Sequence, residues 1–225
     1  MKYAQFCPIA KASEVIGERW MLLVIRELLA GGSSFTELQR GLGNISPSVL
    51  SNRIQALIEH GILERVGAPV TKRRRYRLTQ AGKELAPIVA AIAGWGSRWV
   101  RSRMTRDELD VELLMLHVSR NFDASAFPKA HAVVAFVFSD LHGSARCWWL
   151  LLDRGRTELC TARPGRAADV TLTCKLRSMA EVFNGNLALK SALAMGRIEA
   201  EGPVKIMRNA EHWLRPSPFA RAASR

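Results

Sequence analysis

Apolar side chains in the first half of the chain recur at helical spacing and predict a series of short helices. The stretch "IAKASEVIG" is predicted to form a helix that Gly17 ends. The next stretch is apolar on nearly every side from Trp20 to Leu29, a pattern typical of a helix in the middle of a domain. Ser34 and Glu37 have the spacing of a capping box and predict the start of a third helix.

The segment "ISPSVLSNRIQALIEHGIL" predicts a fourth helix, with Ser46 as N-cap and Pro47 in its first turn. Its predicted buried stripe is Leu50, Ile54, Leu57 and Ile58. The opposite face presents Ser48, Val49, Asn52 and Gln55. These side chains suit base edges in a major groove, because an amide can pair with adenine and Val can touch a thymine methyl. An ordinary amphipathic helix with a polar outer face is the alternative for this stretch alone.

A hairpin and a longer helix are predicted next. "ILERVG" and "RRYRLT" read as two strands, and a cationic cluster lies at their tip: Lys72, Arg73, Arg74, Arg75 and Arg77. A hairpin directly after a capped helix is a wing. Thr79 should cap the last helix of this half, which Pro87 should kink near its second turn. Its apolar stripe needs a partner surface, most simply a second copy of the chain: Leu85, Ile88, Val89, Ile92, Trp95 and Trp99.

The second half changes to strand-like segments after a linking helix at 108–120. Four strands should form a sheet, and a turn at Arg154-Gly155 would place Trp149 opposite Cys160 and Cys147 opposite Ala162. Two helices, a strand at "RIEAEG" and a final helix from Pro203 follow. The predicted organisation is a first domain at 1–103, a linking segment at 104–124, a second domain at 125–214 and a loose tail at 215–225.

The strand "CWWLLL" is apolar on both faces. Trp148, Leu150 and Leu152 share one face, and Trp149 and Leu151 share the other. The second face must be covered by helices, by the first half or by a ligand. If a ligand cavity exists, its candidate lining residues are Phe136, Phe138, Trp148 and Trp149; core packing alone is the alternative.

Charge and cysteine content narrow the functional classes. The net charge is +13, and residues 1–103 hold 16 Lys and Arg against 7 Asp and Glu. This surplus predicts a polyanionic partner for the first half, and charge alone leaves nucleic acid and an acidic membrane surface open. No apolar run reaches the roughly 20 residues of a membrane span, and no signal-peptide core is present, so we expect a cytoplasmic protein without membrane contact. The four widely spaced cysteines favour reduced thiols.

Sequence motifs of catalytic, metal-binding and phosphate-binding sites are mostly missing. No H-E-x-x-H, G-x-S-x-G or phosphate-binding loop occurs, so we expect no metal, no cofactor and no enzymatic activity. Cys7 precedes Pro8 and a predicted helix, whose N-terminus would favour a thiolate. It is a redox candidate, and a purely structural Cys7 is the alternative.

The stretch "GERWMLLVIRELLAGGSSFTELQRGLGNISPSVLSNRIQALIEHGILER", followed by "YRLTQAGKELAPIVAAIAGWG", resembles the HxlR family of winged-helix transcriptional regulators over about residues 7–96. The resemblance implies a homodimer on a pseudo-palindromic operator, with the helix from Ser46 as recognition helix, and some members sense oxidants through a cysteine near Cys7. The expected DNA contacts are Ser46, Ser48, Val49, Asn52, Arg53, Gln55, Lys72, Arg73, Arg74, Arg75 and Arg77. The wing cations would meet phosphates and a neighbouring minor groove and bring affinity rather than sequence choice, unless they are only a solvated charge run.

The order of elements over about residues 125–214, with "GRIEAEG" near its end, resembles the lipid-binding domain of sterol carrier proteins. The expected fold class is therefore α+β: a winged helix-turn-helix domain plus a sterol-carrier-like α/β sandwich with a mainly antiparallel sheet. The expected function is a homodimeric transcriptional regulator that binds double-stranded DNA sequence-specifically, and an apolar small molecule bound in the second domain is its candidate effector. A lipid or small-molecule carrier whose basic half binds membranes or nucleic acid non-specifically is the alternative, and an enzyme is a third.

Overall fold

The computed structural model describes residues 2–67, 75–100, 105 and 108–220. The chain divides into two compact units, Met1–Ile92 (unit 1) and Ala93–Arg225 (unit 2). The division falls inside a helix, and the domain bounds predicted from the sequence stay a prediction. Within the described ranges, no helix is long and apolar enough to cross a membrane.

Unit 1 is mainly helical and carries one hairpin. Its elements are α1 (Pro8–Ile16), α2 (Met21–Leu29), α3 (Phe35–Leu42), α4 (Pro47–Glu59), β1 (Leu63–Val66), β2 (Arg75–Leu78), α5 (Gln80–Lys83) and α6 (Ala86–Trp99), the last of which crosses into unit 2. The three predicted caps are confirmed, since Ser34, Ser46 and Thr79 each accept a hydrogen bond from a backbone N–H three residues later. Each cap satisfies an N–H group that the helix itself leaves without a partner.

The core of unit 1 forms where α2 and α4 meet. Leu50, Ile54 and Leu57 are buried as the helical spacing predicts, and Ile58 at the edge of the stripe is only partly buried. Met21 and Val24 on α2 are fully enclosed. This burial fixes which face of α4 points outward.

The hairpin pairs β1 with β2 in antiparallel register, from Leu63 opposite Leu78 to Val66 opposite Arg75. An isolated bridge also joins Ser34 to Arg75, and the Tyr76 N–H donates to the carbonyl of Ser33. The predicted wing strands are therefore present and are anchored to the start of α3. Lys72, Arg73 and Arg74 lie outside the described residues.

The prediction of one kinked helix through Pro87 is wrong. Helix α5 ends at Lys83, and α6 starts at Ala86 with Pro87 in its first turn. A continuous helix would require a Pro87 N–H that does not exist and would bring the proline ring against the carbonyl of Lys83. In the first turn of a new helix the missing N–H costs nothing.

Unit 2 is an α+β unit. Its elements are α7 (Val111–Asn121), β3 (His131–Phe138), β4 (Cys147–Asp153), β5 (Arg156–Cys160), β6 (Val170–Cys174), α8 (Leu176–Phe183), α9 (Leu189–Ala194), β7 (Ile198–Glu201), α10 (Val204–Met207) and α11 (Ala210–Trp213). The strand order is β5-β4-β3-β6-β7, and β3 pairs with β6 in parallel while the other neighbours are antiparallel. The predicted mainly antiparallel sheet is confirmed.

The predicted turn between β4 and β5 is also confirmed. Arg154 and Gly155 both have positive φ (46° and 82°), and the register places Trp149 opposite Cys160. Two successive residues in the left-handed backbone conformation form a two-residue turn whose twist matches that of the flanking strands. The ladder ends at this pair, so Ala162 lies beyond it.

The helices of unit 2 cover one face of the sheet. Trp213 is fully enclosed, with its ring 5.4 Å from that of Phe122 and 5.3 Å from that of Phe127. The prediction of one final helix from Pro203 is wrong, because α10 ends at Met207 and a separate helix, α11, starts at Ala210. The carbonyl of Ile206 accepts the backbone N–H of Asn209 (3.2 Å) and the indole N–H of Trp213 (3.2 Å), whereas in a continuous helix it would accept the N–H of Ala210.

Candidate nucleic-acid interface

The outward face of α4 is a short polar stripe. Ser48, Asn52 and Gln55 are exposed, Ser46 is exposed at the N-cap, and Val49 is partly buried. The hydroxyl of Ser46 accepts from the Val49 N–H (3.4 Å) and lies 3.3 Å from the Ser48 hydroxyl. Within the described part of the chain, the side-chain amide of Asn52 makes no hydrogen bond to another residue. Asn52 therefore presents its full donor and acceptor capacity to solvent.

Arg53 points away from this stripe and binds the turn before α2. Its Nε–H donates to the carbonyl of Arg19 (2.9 Å), and its Nη1 lies 2.6 Å from Glu18 Oε2. The Arg53 side chain is only 24% exposed. The same turn contains Trp20 in a left-handed conformation (φ 79°), with the Arg19 guanidinium 5.4 Å from the centre of the indole ring. Arg53 thus joins α4 to the turn between α1 and α2.

Gln55 also has protein partners. Its Nε2 donates to Glu59 Oε1 (2.9 Å), and its Oε1 accepts from Arg65 Nη2 (2.7 Å). Arg65 belongs to β1 and was not among the residues singled out from the sequence. Strand alternation could have indicated it, because Arg65 lies two residues after the buried Leu63 and so shares its inward face.

The described cations of the wing differ in their surroundings. Arg77 forms a cross-strand ion pair, with both Nε and Nη2 2.9 Å from Glu64 Oε1. Arg75 is exposed, and no salt bridge to it occurs among the described residues. An exposed ion pair of this kind contributes little to stability, but it offsets part of the Arg77 charge.

Two acidic groups help to hold the helix-turn-helix. Glu27 is fully buried and lies 2.8 Å from Arg26 Nη2, which also donates to the carbonyl of Gly41 at the end of α3. The carboxylate of Glu37 accepts from the backbone N–H groups of Ser33 and Ser34 at the start of α3. The Ser33 N–H contributes most to lowering the pKa of Glu37 below its ordinary value.

Apolar side chains are exposed along α6 and at the N-terminal end of unit 1. Ile88, Ile92, Trp95 and Trp99 follow one another at helical spacing, and Trp99 is 70% exposed. Phe6 and Ile9 are exposed as well, at 99% and 76%. Val89, which the sequence placed in the same stripe, is instead buried. We call the surface of Ile88, Ile92, Trp95 and Trp99 the α6 stripe.

The candidate ligand residues of unit 2 do not share one surface. Phe136, Phe138 and Trp148 are buried in the hydrophobic core, and the Trp148 indole N–H donates to the carbonyl of Ala145 (2.8 Å). Trp149 is half-buried on the opposite face of the sheet. The structure therefore brings Phe136, Phe138 and Trp148 together and leaves Trp149 apart from them, across the sheet.

The cysteines of the chain lie in different environments. Cys7 is partly exposed at the N-cap of α1, and its side chain makes no capping bond. Burial raises the pKa of Cys160, and it raises the pKa of Cys174 to about 12, which disfavours a thiolate at either position. Among the described residues, no three or more His, Cys, Asp or Glu side chains form a group that could hold a metal ion.

Comparison with known proteins gives two separate family matches. Residues 15–104 match the HxlR-like helix-turn-helix family, and residues 115–215 match the SCP-2 sterol transfer family. Over 102 residues the chain is 37% identical to YvaP of Bacillus subtilis, an uncharacterised HTH-type transcriptional regulator, covering 44% of this chain and 94% of YvaP. It is 38% identical over 93 residues to Mb3122 of Mycobacterium bovis, also an uncharacterised HTH-type transcriptional regulator, covering 41% of this chain and 58% of that one.

A solved structure, the reduced form of the transcriptional regulator YodB from B. subtilis, matches with a TM-score of 0.38 and 27% identity, covering 43% of this chain and 97% of that one. The predicted α+β fold class and both predicted resemblances are confirmed by the family matches and the sheet topology. The exposed α4 and the anchored hairpin fit this family, and YvaP is matched over nearly its whole length. The chain therefore belongs to the HxlR-like helix-turn-helix family.

Proposed function

We propose that the chain is a sequence-specific, DNA-binding transcriptional regulator that acts as a homodimer. The observation that carries the proposal is the polar stripe of α4, which is exposed at the capped end of a helix and stands beside a basic hairpin. Family membership and the regulator names of the relatives support the same function. We propose no catalytic role and no cofactor. Because the proposed partner is DNA, we place its action in the cytoplasm.

In this proposal α4 enters the major groove and the wing follows the phosphate backbone. The free amide of Asn52 can pair with the N6 and N7 positions of adenine, and Val49 can contact a thymine methyl. Ser46 and Ser48 at the helix start can donate to phosphates or bases. The wing cations, with Lys72, Arg73 and Arg74 included, would supply affinity that depends on salt.

The proposed dimer uses the α6 stripe together with α1. A chain rarely exposes several large apolar side chains in one row unless they meet a partner, and a second copy can bury the same row by two-fold symmetry. The two recognition helices would then lie about 34 Å apart, one turn of DNA, and the operator would be pseudo-palindromic.

For unit 2 we propose that an apolar small molecule modulates DNA binding. The SCP-2 match of residues 115–215 supports an apolar ligand. Such a ligand can act only if it binds one state of the dimer better than another. A tenfold change in DNA affinity requires about 1.4 kcal/mol of such preference.

The test is selection of bound duplexes from a random pool by the purified full-length chain. We expect enrichment of a two-fold related sequence, and Asn52→Ala should relax the preference locally at a cost of about 1–3 kcal/mol on the best site. Gln80→Ala, at the start of α5 and away from the wing tip, is the matched control and should select the wild-type sequence. If the wild type enriches no sequence, the proposal fails.

A lipid carrier with non-specific affinity for nucleic acid or membranes is the second candidate, because the SCP-2 family match covers residues 115–215. It predicts tight binding to every duplex at low salt with no preferred sequence. Asn52→Ala would then leave binding unchanged on all duplexes. The same selection experiment therefore separates the two candidates.

A further inference from the structure

We infer that Gln55 and Arg65 form a clamp that fixes the wing against the recognition helix, and that Gln55 is a positioning residue rather than a base reader. We call Arg65, Gln55 and Glu59 the wing clamp. The inference rests on the proposed function, because it assigns roles within the proposed DNA interface. It departs from the sequence prediction, which grouped Gln55 with Asn52 as a contact to bases.

The wing clamp is a continuous chain of hydrogen bonds between two elements. Arg65 Nη2 donates to Gln55 Oε1 (2.7 Å), and Gln55 Nε2 donates to Glu59 Oε1 (2.9 Å). Arg65 is in β1, whereas Gln55 and Glu59 are one turn apart on α4. A cationic donor at one end and a carboxylate acceptor at the other strengthen both bonds, although all three side chains are exposed to water.

The position of Arg65 in the hairpin shows which strand the clamp holds. Leu63 and Leu78 face each other at the base of the hairpin, and Tyr76 opposite Arg65 is buried too. Beyond Arg65, only the pair Val66 and Arg75 remains before the residues of the tip. A two-stranded hairpin is marginally stable without packing. At this level β2 is already held by Ser33 and Ser34 at the start of α3, and Arg65 attaches the other strand, β1, to α4.

The clamp also constrains the orientation of the groups that base reading would require. Bidentate pairing with adenine uses the oxygen and an N–H of one amide together. Each end of the Gln55 amide already has one protein partner, and these two bonds orient the amide toward Arg65 and Glu59 rather than toward a base. Asn52, one turn earlier on the same stripe, has no such partner among the described residues. The geometry thus divides two similar amides into a reader, Asn52, and a support, Gln55.

A fixed wing would increase affinity by pre-organisation. The recognition helix and the wing must reach the groove and the phosphates at the same time, and a wing that moves freely loses that freedom on binding. Loss of the clamp should lower affinity for every duplex by a similar factor. It should leave the preferred sequence unchanged, because no base contact is lost.

The experiment is a double-mutant cycle on the full-length chain with Gln55→Ala, Arg65→Ala and the double variant. The probes are the duplex that the wild type selects and a scrambled duplex. We expect Gln55→Ala to weaken binding about fivefold on both duplexes, the size expected for loss of one hydrogen bond. Arg65→Ala should lose at least as much because it also removes a charge, and the double variant should bind no more weakly than Arg65→Ala. Arg65→Lys, which keeps a donor and the charge, should recover most of the loss.

Hydrogen exchange without DNA gives an independent readout. Backbone amides of β1 and β2 should exchange faster in Gln55→Ala and Arg65→Ala than in the wild type, and Asn52→Ala should leave them unchanged. Unchanged exchange in the clamp variants, additive losses in the cycle, or an altered base preference of Gln55→Ala would each overturn the inference. A wild type that selects no duplex would overturn the proposed function, and the exchange rates alone would then decide whether the clamp exists.

Discussion

Replacing Gly82 with Ala tests how closely α5 packs against the base of the wing. A Cβ at this position would lie 2.3 Å from the carbonyl oxygen of Ile62 and 2.9 Å from a methyl carbon of Leu78. The Leu78 side chain can rotate away. The Ile62 carbonyl is held in place, because it accepts from the backbone N–H of Thr79 (3.0 Å), whose hydroxyl donates to the preceding carbonyl of Gly61 (2.6 Å). Relief therefore requires α5 to move away from β1.

The size of the effect follows from these contacts. Forcing an additional methyl group into a packed site costs about 1–3 kcal/mol. Moving α5 would weaken the bonds from the Thr79 N–H to Ile62 and from the Thr79 hydroxyl to Gly61, at about 1 kcal/mol for each bond that is lost. We expect the free energy of unfolding of unit 1 to fall by about 3 kcal/mol. For a unit of this size, that corresponds to a decrease in Tm of more than about 10 °C.

Calorimetry of the full-length chain measures this decrease. Gly94→Ala is the matched control, because a Cβ there would meet no atom within 4 Å outside its own helix, and Ala is favoured over Gly in a helix interior by about 0.5–1 kcal/mol. Gly94 also lies on the side of α6 away from the α6 stripe. Because Gly94 lies beyond Ile92, Gly94→Ala should not lower the Tm of unit 1, whereas Gly82→Ala should. A Gly82→Ala variant that melts at the wild-type temperature would refute the close packing.

Three further predictions concern charge, assembly and pH. Arg75→Ala should lower the slope of log affinity against log salt by about one, and Arg77→Ala should lower it less because Glu64 already offsets that charge; equal changes would contradict this difference. Trp95→Lys places a charge in the α6 stripe and should convert a wild-type dimer into a monomer in sedimentation at micromolar concentration, whereas a persistent dimer would put the interface elsewhere. Glu37→Gln should lower the unfolding free energy at pH 7, and the difference should shrink as the pH falls below the ordinary pKa of Glu and through the lower native pKa of Glu37, because protonation removes the advantage of the carboxylate. Urea unfolding at pH 7 and pH 3.5 measures this, and a difference independent of pH would contradict it.

Features set by short-range chemistry were predictable from the sequence. Ser34, Ser46 and Thr79 start helices because a hydroxyl three residues before a backbone N–H can accept from it wherever the helix is placed. Arg154 and Gly155 form a two-residue turn for an equally local reason, and this turn fixes the register of β4 with β5. Helical spacing also identified the buried face of α4.

The partners of the polar residues on α4 were not predictable in this way. Periodicity shows that Arg53 and Gln55 are off the buried stripe, but a polar side chain there can bind water, DNA or another part of the protein. Arg53 meets Glu18, which the tertiary fold brings close from before α2, and Gln55 meets Arg65 through the register of the wing. Such contacts depend on how separate elements pack, and the sequence pattern of one helix does not contain that information.

The two errors in helix bounds have the same origin. Both segments keep helical spacing across the break, so periodicity alone favours a continuous helix. The break before Pro87 follows from a missing N–H, and the break after Met207 accompanies an indole hydrogen bond to the Ile206 carbonyl. The rule that a helix ends before a proline would have predicted the first break. The second break depends on a tertiary contact and is not visible in the sequence.

The parallel pairing of β3 with β6 determines which part of unit 2 can fold first. Strands β3, β4 and β5 follow one another as antiparallel neighbours, so their contacts are local and can form early. Strand β6 joins only after the chain has passed both hairpins, when Val170 comes beside Val134. Until then β3 is an unpaired edge that is apolar on both faces. A nascent or truncated chain that ends before residue 170 should therefore aggregate through β3, and its synthesis should depend on chaperones more than that of unit 1.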